Sequence, residues 1–129
     1  MLLVIDTNIL VKALRSNNDK SKSVRLMDDV FSGVHTMCVS ELILNEYRDV
    51  LSRPQLHITA EEVEMLMQWI REHAYHIEPK PSTQEAVAMK DEDDRIFFDV
   101  AKCLNARLVT RNYRDYPTHE LITLIDELY

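Results

Sequence analysis

The stretch VIDTNILVKAL, residues 4–14, decides how the chain is read. An apolar run stops at Asp6, Thr7 and Asn8 follow, and apolar residues then return at helical spacing. A strand that turns directly into a helix, with an acid at the turn, has this pattern. Asp6 there is either the N-cap of the helix, which aspartate commonly supplies, or a carboxylate turned into a crevice at the strand's carboxyl end.

Working outward, MLLVI (1–5), TMCV (36–39), YHIE (75–78), RLVT (107–110) and LITLI (121–125) have strand length and composition. Helical stretches lie between them. TNILVKALRS and SKSVRLMDDVFS form a pair split by polar NNDK, and SELILNEYRDVLS starts at Ser40, a good N-cap, and stops at Pro54. Thr59 to Glu62 has capping-box spacing and opens AEEVEMLMQWIREHA, whose Val63, Leu66, Met67 and Ile70 form a buried stripe extended by Trp69 and the other methionines. EPKPSTQEAVAMKDED (78–93) reads as a linker, with a short capped helix at Ser82 to Glu85, and DDRIFFDVAKCLNA is the next helix. Such alternation predicts one α/β domain spanning 1–129, a three-layer sandwich with a mainly parallel sheet of about five strands between helices.

With 15 Lys and Arg against 22 Asp and Glu, the net charge of -7 argues against gripping a polyanion with the whole surface. A local acidic pocket filled by cations is compatible with it. Met1 to Ile5 lacks the charge and length of a signal peptide or membrane span, so the expected location is the cytoplasm, without a membrane partner. Cys38 and Cys103 lack metal-type spacing and are expected to be reduced core residues. His73 and His76 have no cysteine or acid completing a zinc set, and a chain with one glycine offers no Gly-x-Ser-x-Gly nucleophile turn.

Three acids carry the functional reading. Helical geometry puts Glu46 in a row with Leu42 and Val50, beside Ile43. A carboxylate among such neighbours either meets a cation or donor, or sits at the edge of a wide apolar stripe paired with Arg53. Asp94 heads the row of Phe97, Phe98 and Ala101, with Asp91 as the natural N-cap. Asp99, beside Arg95 and Lys102, reads as a solvated, charge-paired position, as do Glu92 and Asp93, with Asp91 or Asp93 available to support a ligand from behind. Thr110, Asn112 and Asp115 follow the fourth strand. A sheet ordered 3-2-1-4-5 would gather Asp6, Asn8, the Glu46 helix and this loop around one crevice.

In order and spacing these segments resemble the PIN-domain nucleases, including toxin components of bacterial toxin-antitoxin pairs, over essentially the whole chain. VIDTNIL resembles the family's opening strand and first metal-binding acid, SELILNEYRDVL the second-acid helix, and DEDDRIFFDVAKCLNARLVTRNYRDY the third-acid helix with the fourth-position loop. The resemblance implies Asp6, Glu46 and Asp94 as catalytic metal ligands, with Asn112 completing the site. Many members carry aspartate where this chain has Asn112, which adds no charge; Asp115 is placed to substitute in part. Converging carboxylates repel one another unless hard cations neutralise them, and such oxygen donors suit Mg2+ or Mn2+. A metal of this kind activates water for attack on a phosphodiester.

The resemblance also implies an RNA substrate, a possible antitoxin that blocks the crevice with basic residues, and a possible homodimer. Lys12, Arg15, Arg48, Arg53, Arg111 and Arg114 are the candidate phosphate contacts, each also readable as a solvated surface charge. Tyr113 and Tyr116 could stack on bases, whereas Tyr47 reads as core. Two other classes compete: a phosphoacceptor receiver domain, also five-stranded α/β, and a PIN-like RNA or metal-binding module without turnover. The receiver reading lacks an acid pair after the first strand, and Pro79 follows Glu78 where its acceptor is expected.

Overall fold

A computed structural model describes residues 1–129, the Tyr113 side chain excepted. The base-stacking expectation for Tyr113 therefore lies outside the described residues. Strands β1 (Leu2–Ile5), β2 (Thr36–Val39), β3 (Tyr75–His76), β4 (Arg107–Thr110) and β5 (Ile122–Leu124) form one sheet in the order β3-β2-β1-β4-β5. Every pairing is parallel, with Leu3 opposite Met37 on one side and Ile5 opposite Val109 on the other. In β1, β2 and β4 three consecutive residues are buried, so both sheet faces are covered. This is the expected three-layer arrangement. It also excludes a receiver domain, whose strand order is 2-1-3-4-5.

The helices are α1 (Thr7–Arg15), α2 (Lys22–Phe31), α3 (Glu41–Leu51), α4 (Ala60–His73), α5 (Arg95–Leu104) and α6 (Ile125–Leu128). Their ends obey local chemistry. Ser40 accepts the Ile43 N–H at the start of α3, and Thr59 and Glu62 close a full capping box on α4. Gly33, at φ +87°, supplies the left-handed turn that brings the chain from α2 into β2. Helix α5 packs on β1, β2 and β4, and α3 touches α1, α4 and α5, placing Tyr47 against Phe97.

Four expectations need correction. Cys103 is exposed and only Cys38 is core, although both are free thiols. Met65 is 72% exposed, because a two-residue offset carries it to the helix side opposite Met67. Residues 82–85 do not form a helix. Thr83 caps a single turn through the Ala86 N–H, and Ser82 is used elsewhere.

That other use is the fourth correction. Asp99 is only 8% exposed, and its carboxylate accepts both the backbone N–H and the hydroxyl of Ser82. Buried Arg95 donates to Ser82, to the Thr83 and Val87 carbonyls, to Gln84 and to Glu92. A stretch that reads as a linker is thus pinned onto α5 by two buried charges whose hydrogen bonds are filled by the backbone and side chains of residues 82–92.

Replacing Asp99 with Ala should leave both Ser82 donors without their charged acceptor and cost about 2 kcal/mol. Urea denaturation reads the loss. Amide exchange should accelerate across residues 80–88 well before the sheet responds, and unchanged protection there would refute the pinning role.

Candidate active site

Asp6 sits where the sheet centre meets its carboxyl edge. Its backbone N–H continues the ladder to the Val109 carbonyl at 3.0 Å, and it occupies the N-cap position of α1 without a side-chain cap bond. The carboxylate turns toward β4 and the loop after it. Oδ2 accepts from the Thr110 hydroxyl at 2.8 Å, the Tyr116 hydroxyl at 3.1 Å and the Asn8 amide at 3.4 Å. Of the two readings of Asp6, geometry thus favours the crevice.

Asp6 is 7% exposed, and burial pushes its pKa above the ordinary carboxylate value against the opposing pull of Thr110 and Tyr116. All three side-chain donors meet the same oxygen, so Oδ1 stays clear of them. Beside it, Asn8 Oδ1 and Thr7 Oγ1 are buried without a partner among the described residues.

Glu46 lies half-buried on α3. Its row is less apolar than its spacing suggests, since Leu42 is 57% exposed while Ile43 and Tyr47 are buried. Burial raises its pKa, and the negative charges of Asp49, Asp93 and Asp6 add to that, with Arg53 opposing. Arg53 itself pairs with Asp49 at 3.3 Å rather than with Glu46.

Asp94 holds the N-cap position of α5 but makes no side-chain cap bond, because Asp91 caps the preceding turn through the Asp93 N–H. Burial first, then the charges of Asp6, Asp91, Asp115 and Asp93, push Asp94 from 3.8 to about 7. Asp6, Glu46 and Asp94 therefore lie within one electrostatic neighbourhood. None of them takes part in an ion pair among the described residues.

Hard oxygen donors carrying uncompensated charge fit a divalent cation such as Mg2+. The arrangement is not a closed ligand cage: among the described residues, no three His, Cys, Asp or Glu side chains stand at metal-holding spacing.

Other predicted residues are placed as follows. Thr110 donates to Asp6, and Asp115 contributes charge toward Asp94. Asn112 is exposed and spends its Oδ1 on the Arg114 N–H, a turn-forming bond, rather than on the acids. Arg48 is paired with Glu64. Lys12 and Arg111 line one cavity, Arg15 is exposed on α1, and Arg114 lies on another wall with Tyr116.

Tyr116 was expected to stack on bases, but it is fully buried and donates to Asp6. No local pattern signals that role; only the fold brings residue 116 back to residue 6. Tyr47 is core as expected, its hydroxyl donating to the Ile5 carbonyl.

A carboxyl held above its unfolded value keeps a proton in the fold that the unfolded chain has released. The contribution of Asp94 to stability is complete below about pH 3.8 and is lost as pH rises toward about 7. In metal-stripped protein the stability difference between the parent and Asp94→Asn should therefore drift against the parent across that window, by up to about 1.4 kcal/mol per pH unit. Parallel urea curves from pH 4 to 7.5 measure it, and a constant difference would remove Asp94 from this electrostatic cluster.

Comparison with known proteins follows the same geometry. The family model of the PIN domain matches residues 2–114. Among solved structures, VapBC2 from Rickettsia felis, bound to a DNA fragment from its promoter, superposes with a TM-score of 0.59 at 18% identity, covering 96% of this chain and 97% of the other. FitAcB from Neisseria gonorrhoeae gives a TM-score of 0.52 at 14% identity, covering 88% of each chain. At these identities the likeness is one of fold. Comparison with curated protein sequences gave no match.

Proposed function

The chain belongs to the PIN-domain family, and from that premise we propose that it is an endoribonuclease dependent on Mg2+ or Mn2+, cutting single-stranded or structured RNA as the toxin of a toxin-antitoxin pair. One observation carries the reading: burial raises the pKa values of Asp6, Glu46 and Asp94 at the carboxyl edge of the sheet, the charge of Asp6 raises the other two further, and none of the three is in an ion pair among the described residues. Proteins tolerate a buried anionic cluster when its charge is used, and an oxygen-ligated divalent ion is the commonest use.

In this proposal Asp6, Glu46 and Asp94 hold the ion, which when bound lowers the pKa of a water and offsets charge on the leaving oxygen. Thr110 and Tyr116 fix the orientation of Asp6 by holding Oδ2 and leave Oδ1 for the ion. Asn8 supplies a third donor and a free buried amide oxygen at the pocket wall. Asp115 adds charge from the far side.

The toxin role, an antitoxin partner, self-association as a homodimer and a cytoplasmic location belong to the same proposal. They follow the resemblance to PIN-domain toxin components, and the VapBC2 and FitAcB likenesses support them at the level of fold. An antitoxin presenting a basic side chain to the acidic crevice would neutralise it directly. No described helix is long and apolar enough to cross a membrane.

A binding module without turnover is the second reading, favoured by Asn112, whose oxygen is tied into its own turn. One assay separates the two. Labelled RNA incubated with Mg2+ or Mn2+ should be cut by the parent, while chelator, Asp6→Asn or Asp94→Asn should each lower the rate at least about a hundredfold. Metal-independent cleavage, or variants that match the parent, would sink the mechanism; stoichiometric RNA binding with no products would establish the binding module. Tyr116→Phe keeps the aromatic packing but removes one donor to Asp6, and should cost about 10- to 100-fold in rate or metal affinity.

A further inference from the structure

We propose that the corner between α1 and α2 is a phosphate-binding site that takes a backbone phosphate of the strand being cut. The identity of that strand rests on the nuclease reading above; the anion site rests on geometry alone.

A cavity of about 390 Å³ opens there, walled by Lys12 of α1, the cap residue Ser21, Lys22 and Ser23 of α2, Arg111 after β4, and Asp126 of α6. Helix α2 runs for ten residues, and its N-cap Ser21 makes no side-chain cap bond. The Arg25 N–H is the first to find a carbonyl, that of Ser21. Backbone N–H groups of Lys22, Ser23 and Val24 are consequently the orphan donors of this helix start, where the dipole is positive.

A second, independent feature points the same way. Ser23 is 2% exposed yet lines the cavity, and its hydroxyl makes no hydrogen bond to any described residue. Unlike Thr7 Oγ1 and Asn8 Oδ1, the Ser23 hydroxyl is not sealed from solvent, so it opens onto the cavity and is free to bond what enters it.

Charge selects the ligand. Three cations against one carboxylate give the lining a formal net charge of +2, on a chain whose total is -7. Asp126 opposes an anion, but it is already held by Lys22 at 2.5 Å. Lys12 and Arg111 form no ion pair among the described residues. Backbone N–H groups, a hydroxyl and a guanidinium together match the oxygens of a phosphate.

The cavity is also close to the acids. Arg111 directly follows Thr110, whose hydroxyl reaches Asp6 at 2.8 Å. Lys12 lies six residues along from Asp6, about 9 Å of helix rise. A strand whose scissile phosphate faces Asp6 would carry a neighbouring phosphate to this corner, fixing its direction and register.

The test follows backbone amide NMR shifts of the full metal-stripped chain. Inorganic phosphate should shift the Lys22, Ser23 and Val24 amides saturably, and Arg111→Gln, a change at an exposed side chain, should weaken the binding at least about tenfold. Lys12→Gln should act in the same direction. A short oligoribonucleotide should move the same amides and be displaced by phosphate. Absent phosphate shifts at residues 22–24 would overturn the site, and phosphate shifts that the oligonucleotide fails to reproduce would overturn its assignment to the strand. Loss of RNA cleavage with these shifts intact would instead defeat the nuclease reading and leave the site standing.

Discussion

The hydrogen bonds that converge on Asp6 Oδ2 are the constraint on which the rest depends. A carboxylate this far from water must be met by donors or stay protonated, and here they come from Asn8, Thr110 and Tyr116. Parallel pairing sets Ile5 beside Val109, which puts the next residue of each strand, Asp6 and Thr110, side by side. Slipping that register by one residue would turn Thr110 to the opposite face and leave the acid unsupported. Sheet assembly and acid placement are thus a single event.

Around that point the molecule sorts its charges. Acids from α3 and from the start of α5 lie in the field of Asp6, where burial and its negative charge raise the pKa values of Glu46 and Asp94. Basic residues gather instead at the neighbouring corner of α1, α2 and β4. A second buried charge, Arg95, does purely architectural work by tying residues 82–87 to α5 and so fixing the approach of the chain to Asp94. Adjacent positions on one helix thus serve unlike ends.

Much of this was readable from the residues. Strand positions and the caps at Ser40 and Thr59 follow from local pattern, because apolar period and capping chemistry act within a few residues, whereas the order 3-2-1-4-5 had to be assumed and the pattern around Asp6 fitted a cap as well as the crevice. Pattern failed where partners were distant. Asp99 and Arg95 have the spacing of an exposed ion pair, and only the return of residues 78–93 across α5 buries them. Glu46 was reached through a row of neighbours of which Leu42 proved exposed; its setting owes more to Ile43, Tyr47 and the charges nearby. Tyr116 shows the same limit, since nothing near it in sequence marks the acid it serves, and Asn112 was claimed by its own turn.

Tyr116 reaches Asp6 across 110 positions of sequence. While the protein is being synthesised, helices α1 to α5 and strands β1 to β3 emerge before the two hydroxyls that orient the first acid. A chain interrupted before Thr110 would carry all three carboxylates with neither hydroxyl to hold Asp6 in place. Organisation of the acidic centre thereby waits until residue 116 has emerged, a delay written into topology and requiring no second molecule.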